Sequence, residues 1–220
     1  MTTTLVTGAN RGIGFELAKQ LQERGHTVIA VCRKSSPELE KLGVKVEAGV
    51  DVADGGSVAQ LAKRLSDTDL DLLVANAGIL RADTLDKLPF DLIVEQFQVN
   101  AVGALRTVHA LLPRLRNPSK VALITSRMGS IADNGSGGYY GYRMSKAALN
   151  AAGVSLARDL KGRGVAVSIL HPGYVRTDMT GNSGGIAPSE AATQLIARID
   201  ALDAANSGTF WHANGEILPW

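Results

Sequence analysis

Thr7-Gly8-Ala9-Asn10-Arg11-Gly12-Ile13-Gly14 is a glycine-rich turn set between two different hydrophobic periods. Thr3 to Thr7 before it is a short apolar run of strand type, and Phe15, Leu17, Ala18 and Leu21 after it recur at helical spacing. The passage reads as strand, turn, helix. Glycines let the backbone turn tightly and let an anion approach the first N–H groups of the helix, where the dipole favours negative charge. A dinucleotide pyrophosphate suits such a turn. A purely structural turn is the competing reading, which only the surrounding chain can decide.

That chain repeats the alternation. Thr27 to Cys32, Val44 to Val50, Leu70 to Ala75, Lys120 to Thr125, Val165 to Leu170 and Thr209 to His212 read as further strands. Helical spacing covers Ser57 to Leu65, Pro89 to Leu115, a stretch from near Tyr142 towards Arg163-Gly164, and Ser189 to Leu202 with Ser189 as N-cap. Strands alternating with helices predict an α/β fold, a single-domain, Rossmann-type doubly wound parallel sheet of about seven strands flanked by helices. No linker divides residues 1–220.

Ligands in such sheets bind beyond the carboxyl ends of the strands. Asn76-Ala77-Gly78 and Ser126 fall on that side. At the end of the second strand an acidic residue would accept from a ribose 2′-hydroxyl, but the chain there runs Cys32-Arg33-Lys34. With Arg11 in the glycine turn, two guanidinium groups can converge on a 2′-phosphate, which favours NADP over NAD. Asp51, at the third strand end beside Val52, either contacts an adenine amino group or caps its turn. Asn100 lies on the apolar side of the helix after Pro89, as a structural hydrogen-bonding group or one that bends the helix and holds a water.

Tyr142-Arg143-Met144-Ser145-Lys146 follows a polar loop with five glycines between Arg127 and Gly141. On a helix Tyr142 and Lys146 share one face, a turn apart. A cation held beside a phenol lowers its pKa, so the pair can make an acid-base tyrosine; an ordinary solvated helix face is the alternative. His171, before Pro172-Gly173, reads as structural before it reads as a base.

Composition narrows the partners. The net charge of +2, from 23 basic and 21 acidic residues, gives no electrostatic reason to expect nucleic acid or a membrane surface. The first residues lack a basic region and a long apolar run, so a cytoplasmic protein is expected. One cysteine excludes an internal disulfide, and the four histidines have no metal-site spacing, so no metal is expected.

Thr7-Gly8 with Gly12 and Gly14, Asn76-Ala77-Gly78, Asn100, Ser126, Tyr142 with Lys146, and Pro172-Gly173 with Thr177 together resemble the short-chain dehydrogenase/reductase family over nearly the whole chain. Ser126 to Ile131 and the ending Phe210-Trp211 to Pro219-Trp220 resemble its branch of sniffer-type carbonyl reductases and C-factor-like proteins.

The resemblance implies an NADPH-dependent carbonyl reductase. Tyr142 would protonate the substrate oxygen, Lys146 would lower its pKa and hold the nicotinamide ribose, Ser126 would hydrogen-bond the substrate oxygen, and Asn100 would position a water linking Lys146 to solvent. The cofactor would lie along Gly8, Asn10, Arg11, Gly12, Ile13 and Gly14. It would continue past Arg33, Asp51 and Val52, then Asn76, Ala77 and Gly78. Tyr142, Lys146, Pro172, Gly173, Val175 and Thr177 would surround its nicotinamide end.

Substrate would be a small carbonyl compound or its alcohol, and the family likeness implies a homo-oligomer. The short, glycine-rich segment between Thr177 and Ser189 suggests an open, weakly selective pocket. A cofactor-binding regulator of the C-factor type, with little turnover, is the competing function.

Overall fold

The computed structural model describes residues 2–220. Seven strands form one parallel sheet: β1 Thr3–Thr7, β2 Thr27–Val31, β3 Lys45–Glu47, β4 Leu70–Ala75, β5 Leu115–Ile124, β6 Val165–His171 and β7 Phe210–His212. Their order across the sheet is β3-β2-β1-β4-β5-β6-β7. Chain direction across the sheet therefore reverses between β1 and β4, where Leu5 pairs with Leu73, and the crevice for a ligand opens at that switch.

Successive strand residues serve opposite faces. Leu5, Leu73, Val121 and Leu123 pack with Leu61 and Leu65, Val108 and Leu111, and Leu149 and Leu160. Those partners come from and around α3 (Gly55–Arg64), α5 (Gly103–Leu111) and α6 (Tyr140–Leu160). Val6, Val74, Ala122 and Leu170 pack on the other side with Leu17 and Leu21 of α1 (Gly12–Glu23) and with Leu195, Ile196 and Ile199 of α7 (Pro188–Asp200). Burial of each such leucine contributes roughly 1.5–3 kcal/mol, which explains why these strands read as nearly unbroken apolar runs.

Several expected boundaries move. A short helix, α2 (Pro37–Lys41), follows β2; Ser36 caps it by accepting from Leu39 N, with Pro37 in the first turn. β3 is three residues long, because the chain turns at Gly49 with φ +76. The helix expected from Pro89 to Leu115 is α4 (Phe90–Phe97), a π turn at Gln98–Val102, α5 and a 3₁₀ turn at Leu112–Arg114; β5 then begins at Leu115. Ser189 is not an N-cap. Ala187 takes that position without a side-chain bond, Pro188 opens α7, and the Ser189 carbonyl accepts from Gln20 Nε2 of α1. No helix among the described residues is long and apolar enough to cross a membrane.

Candidate active site

The ends of β1 and β4 are laced together. Thr7 Oγ1 accepts from the amides of Asn76 and Ala77 at 3.0 and 3.1 Å, and Asn76 Nδ2 donates back to the Thr7 carbonyl at 2.9 Å. Gly8 has φ +67, and a Cβ on Gly14 would stand 2.2 Å from the Gly8 carbonyl oxygen, so the turn closes only without side chains at these positions. Beyond it α1 begins with no side-chain cap, leaving its first amides facing the crevice.

A cleft of about 600 Å³ runs over this turn. Its walls include Gly8, Asn10, Arg11, Gly12, Ile13, Gly14, Arg33, Asp51, Val52, Asn76, Ala77, Gly78 and Thr177, all expected from the sequence. A second cavity of about 330 Å³ shares Ile13 and Thr177 with it and is lined by Ser126, Tyr142, Pro172, Gly173 and Val175. Asn100 and Lys146 form neither wall; they stand behind it.

Asn100 is fully buried at the π turn. Its Oδ1 accepts from Ile79 N at 2.8 Å, and Nδ2 donates to Ile79 O and to Ser145 Oγ, both at 2.9 Å. Both side-chain donors are thus spent on protein, fixing the loop after β4 against α6. The Ser145 hydroxyl in turn donates to the Tyr142 carbonyl at 2.8 Å.

Tyr142 and Lys146 are both buried, at 7% and 4% exposure, on the same face of α6. Burial, rather than the neighbouring ammonium, is the largest influence on the phenol. Burial pushes Tyr142 up to about 12, with the facing Ser126 hydroxyl opposing it, and pushes Lys146 down to about 8. Lys146 Nζ instead donates to the Ile124 carbonyl at 2.9 Å. Ser126 accepts from Met128 N at 3.1 Å, which leaves its own proton for another acceptor.

Three features escaped the sequence. Asp83 accepts from Tyr140 N at 2.5 Å and Gly141 N at 3.0 Å, capping the helix that carries Tyr142 from a loop far away in the chain. Arg11, expected on a 2′-phosphate, is paired with Asp178 at 2.8 Å, while Arg33 and Lys34 are exposed and make no ion pair among the described residues. The segment after Thr177 is pinned, with Thr180 Oγ1 donating to Val175 O at 2.7 Å and Arg176 N to Ile186 O at 2.9 Å. Asp51 caps its own turn, Oδ1 accepting from Ala53 N at 2.9 Å. His171 lines the second cavity, packs edge-on against His212, and is driven by burial down to about 3, so it stays neutral.

The family model for short chain dehydrogenase matches residues 2–185, and the chain belongs to that family. It is 44% identical to 1-hydroxy-2-glutathionyl-2-methyl-3-butene dehydrogenase of Rhodococcus sp. (strain AD45), covering 100% of both chains. It is 40% identical to C-signal of Myxococcus xanthus over 69% of this chain and 93% of that protein. Two solved structures are similar over the full length: the NADPH-bound carbonyl reductase from chicken fatty liver (TM-score 0.91, 29% identity, 100% and 99% covered) and the carbonyl reductase Sniffer of D. melanogaster (TM-score 0.93, 29% identity, 100% of both). The chain is thus an oxidoreductase of the short-chain class, with carbonyl reductases and a C-signal protein among its relatives.

Proposed function

We propose that this protein is an NADPH-dependent oxidoreductase that reduces an aldehyde or ketone to an alcohol, with Tyr142 as proton donor. The observation that carries the reading is a buried phenol, Tyr142, lining with Ser126 a cavity that adjoins a dinucleotide-sized cleft.

The residues present fit the dinucleotide. The uncapped amides of α1 suit a pyrophosphate, and exposed Arg33 and Lys34 suit a 2′-phosphate. NADPH in the chicken liver enzyme supports the same choice. When bound, the reduced nicotinamide supplies a hydride.

The protein does the rest. Ser126 donates its free proton to the substrate oxygen and orients it. Tyr142, neutral across the ordinary pH range, gives up its proton as charge develops on that oxygen. Lys146, still mostly charged near pH 7, stabilises the phenolate left behind. Asn100 and Ser145 hold the loop at Ile79 and the helix at Tyr142 in register, so both reach the same point.

The test is NADPH consumption with a panel of aldehydes, ketones and diketones. Turnover with NADPH and little with NADH supports the reading; no turnover with any carbonyl, in either direction, removes it. The Rhodococcus relative, named a dehydrogenase, supports including alcohols and glutathionyl alcohols in the panel. The Myxococcus C-signal relative supports a second reading, a cofactor-binding regulator with little turnover. The presence of Asn100, Ser126, Tyr142 and Lys146 together puts the enzyme first, since binding alone needs no proton donor.

Self-association belongs to the same proposal. Phe90, Val94 and Phe97 of α4 and Leu105 of α5 are exposed on neighbouring helices, Phe90 by 71%. A stable dimer or larger species in sedimentation supports it, and a monomer at micromolar concentration removes it.

A further inference from the structure

We propose that the wall of the second cavity carries an anion-binding subsite centred on Arg143, so that the carbonyl compound or alcohol taken by this enzyme bears a carboxylate. This rests on the oxidoreductase reading above and adds a substrate class to it.

Three charged side chains line that cavity: Arg127, Asp133 and Arg143. Two of them cancel. Arg127 pairs with Asp133 and also reaches Glu216 at 3.6 Å. Arg143 makes no ion pair among the described residues, although the same loop supplies an acid to its neighbour. Its partners are neutral: Nε donates to Gly138 O at 3.1 Å, Nη2 to Ser136 Oγ at 2.9 Å, and Nη1 to Met128 O at 3.5 Å.

A guanidinium has five N–H donors, and three are engaged. One remains on each terminal nitrogen, enough for two hydrogen bonds to a carboxylate. Apolar walls, with Ile13, Leu80, Val175 and Met179, make up much of the rest of the cavity, and half-buried Arg143 is its one cation without an acidic partner among the described residues. His171 adds no charge of its own. Arg143 also follows Tyr142 directly on α6, so an anchored carboxylate would be fixed by the element that presents the proton donor.

The competing role is mechanical: Arg143 only fastens the loop from Met128 to Gly138 onto α6. The two roles differ in what they do to different substrates. A fastener serves every substrate alike, whereas an anion site serves acids.

The experiment measures kcat/KM with NADPH for straight-chain keto acids of increasing length and for their methyl esters, in wild type, Arg143→Gln and Arg143→Lys. Wild type is expected to prefer its best acid to the matching ester by roughly ten-fold or more, the usual scale of a charge-assisted pair. Arg143→Gln should collapse that ratio, chiefly through KM for the acid, and Arg143→Lys should keep part of it, having the charge without the fork. An unchanged ratio in Arg143→Gln, or a wild type with no preference for acids at any length, overturns the proposal. Binding of the same acids to NADPH-loaded protein, read by nicotinamide fluorescence, needs no turnover. Acids that bind through Arg143 but are not reduced keep the subsite and remove the reductase. Esters reduced without preference for acids do the reverse, and neither binding nor turnover overturns both.

Discussion

Lys146 Nζ lies 5.7 Å from the centroid of the Tyr142 ring, and its hydrogen-bond partner is the carbonyl of Ile124 at 2.9 Å. Two ionisable groups are therefore buried side by side with one strand carbonyl between them to satisfy a full positive charge. Lys146 has a folded pKa of about 8, below its ordinary 10.5, so the folded state disfavours the charged amine. That penalty is complete below pH 8 and is relieved as pH rises from about 8 to 10.5. Tyr142 runs the other way: its contribution is present below pH 10 and lost as pH rises through about 12.

Lys146→Met should therefore raise the melting temperature of the cofactor-free protein near neutral pH, because an unpaired buried charge gives way to an apolar chain. The wild-type gain in stability between neutral pH and about pH 9.5 should flatten in the variant. Turnover should disappear. Thermal unfolding at several pH values checks this; a variant less stable than wild type at neutral pH contradicts it.

Asp83 caps α6 from a distance, and the helix has no side-chain cap of its own. Removing the acceptor leaves two amides poorly paired at the start of the helix that bears Tyr142. Asp83→Ala should cost about 1–3 kcal/mol in denaturant unfolding, and Asp83→Asn less. kcat should fall in the same order while NADPH affinity holds. Unaltered stability in Asp83→Ala would show that the cap is replaced by water.

Arg11 is shared between Asp178 and the proposed 2′-phosphate. The pair is exposed, 70% and 65% for the two side chains, so it is worth at most about 1 kcal/mol. Asp178→Asn should free Arg11 and tighten NADPH by up to about five-fold with little change for NADH. Arg33→Ala should weaken NADPH far more than NADH. Fluorescence titration with both cofactors measures this, and equal changes for the two would take the 2′-phosphate away from these arginines.

The sheet was legible because its strands are apolar on both faces and its helices repeat cleanly; β1 and β4 have the boundaries their residues predict. The cleft was legible for a similar reason, since short motifs at strand ends must all face one crevice. What the sequence hid is long-range. Nothing near Asp83 marks it as the cap of a helix that begins at Tyr140, and nothing near Asp178 points to Arg11. Ser145 sat inside the Tyr142 to Lys146 motif, yet its bond to Asn100 depends on the π turn, which hydrophobic spacing does not register. The depth of Tyr142 is hidden in the same way: a lysine four residues on is visible in sequence, while the enclosure of the phenol by distant elements is not.

The central claim is that Tyr142 delivers the proton. Tyr142→Phe removes one oxygen from a buried ring and leaves the packing of α6 intact. With NADPH and the best carbonyl substrate, kcat should fall by roughly 10² to 10⁴, the usual worth of a general acid, while the affinity for NADPH stays within a few-fold of wild type. Turnover that survives in a folded, NADPH-binding Tyr142→Phe variant would contradict the account.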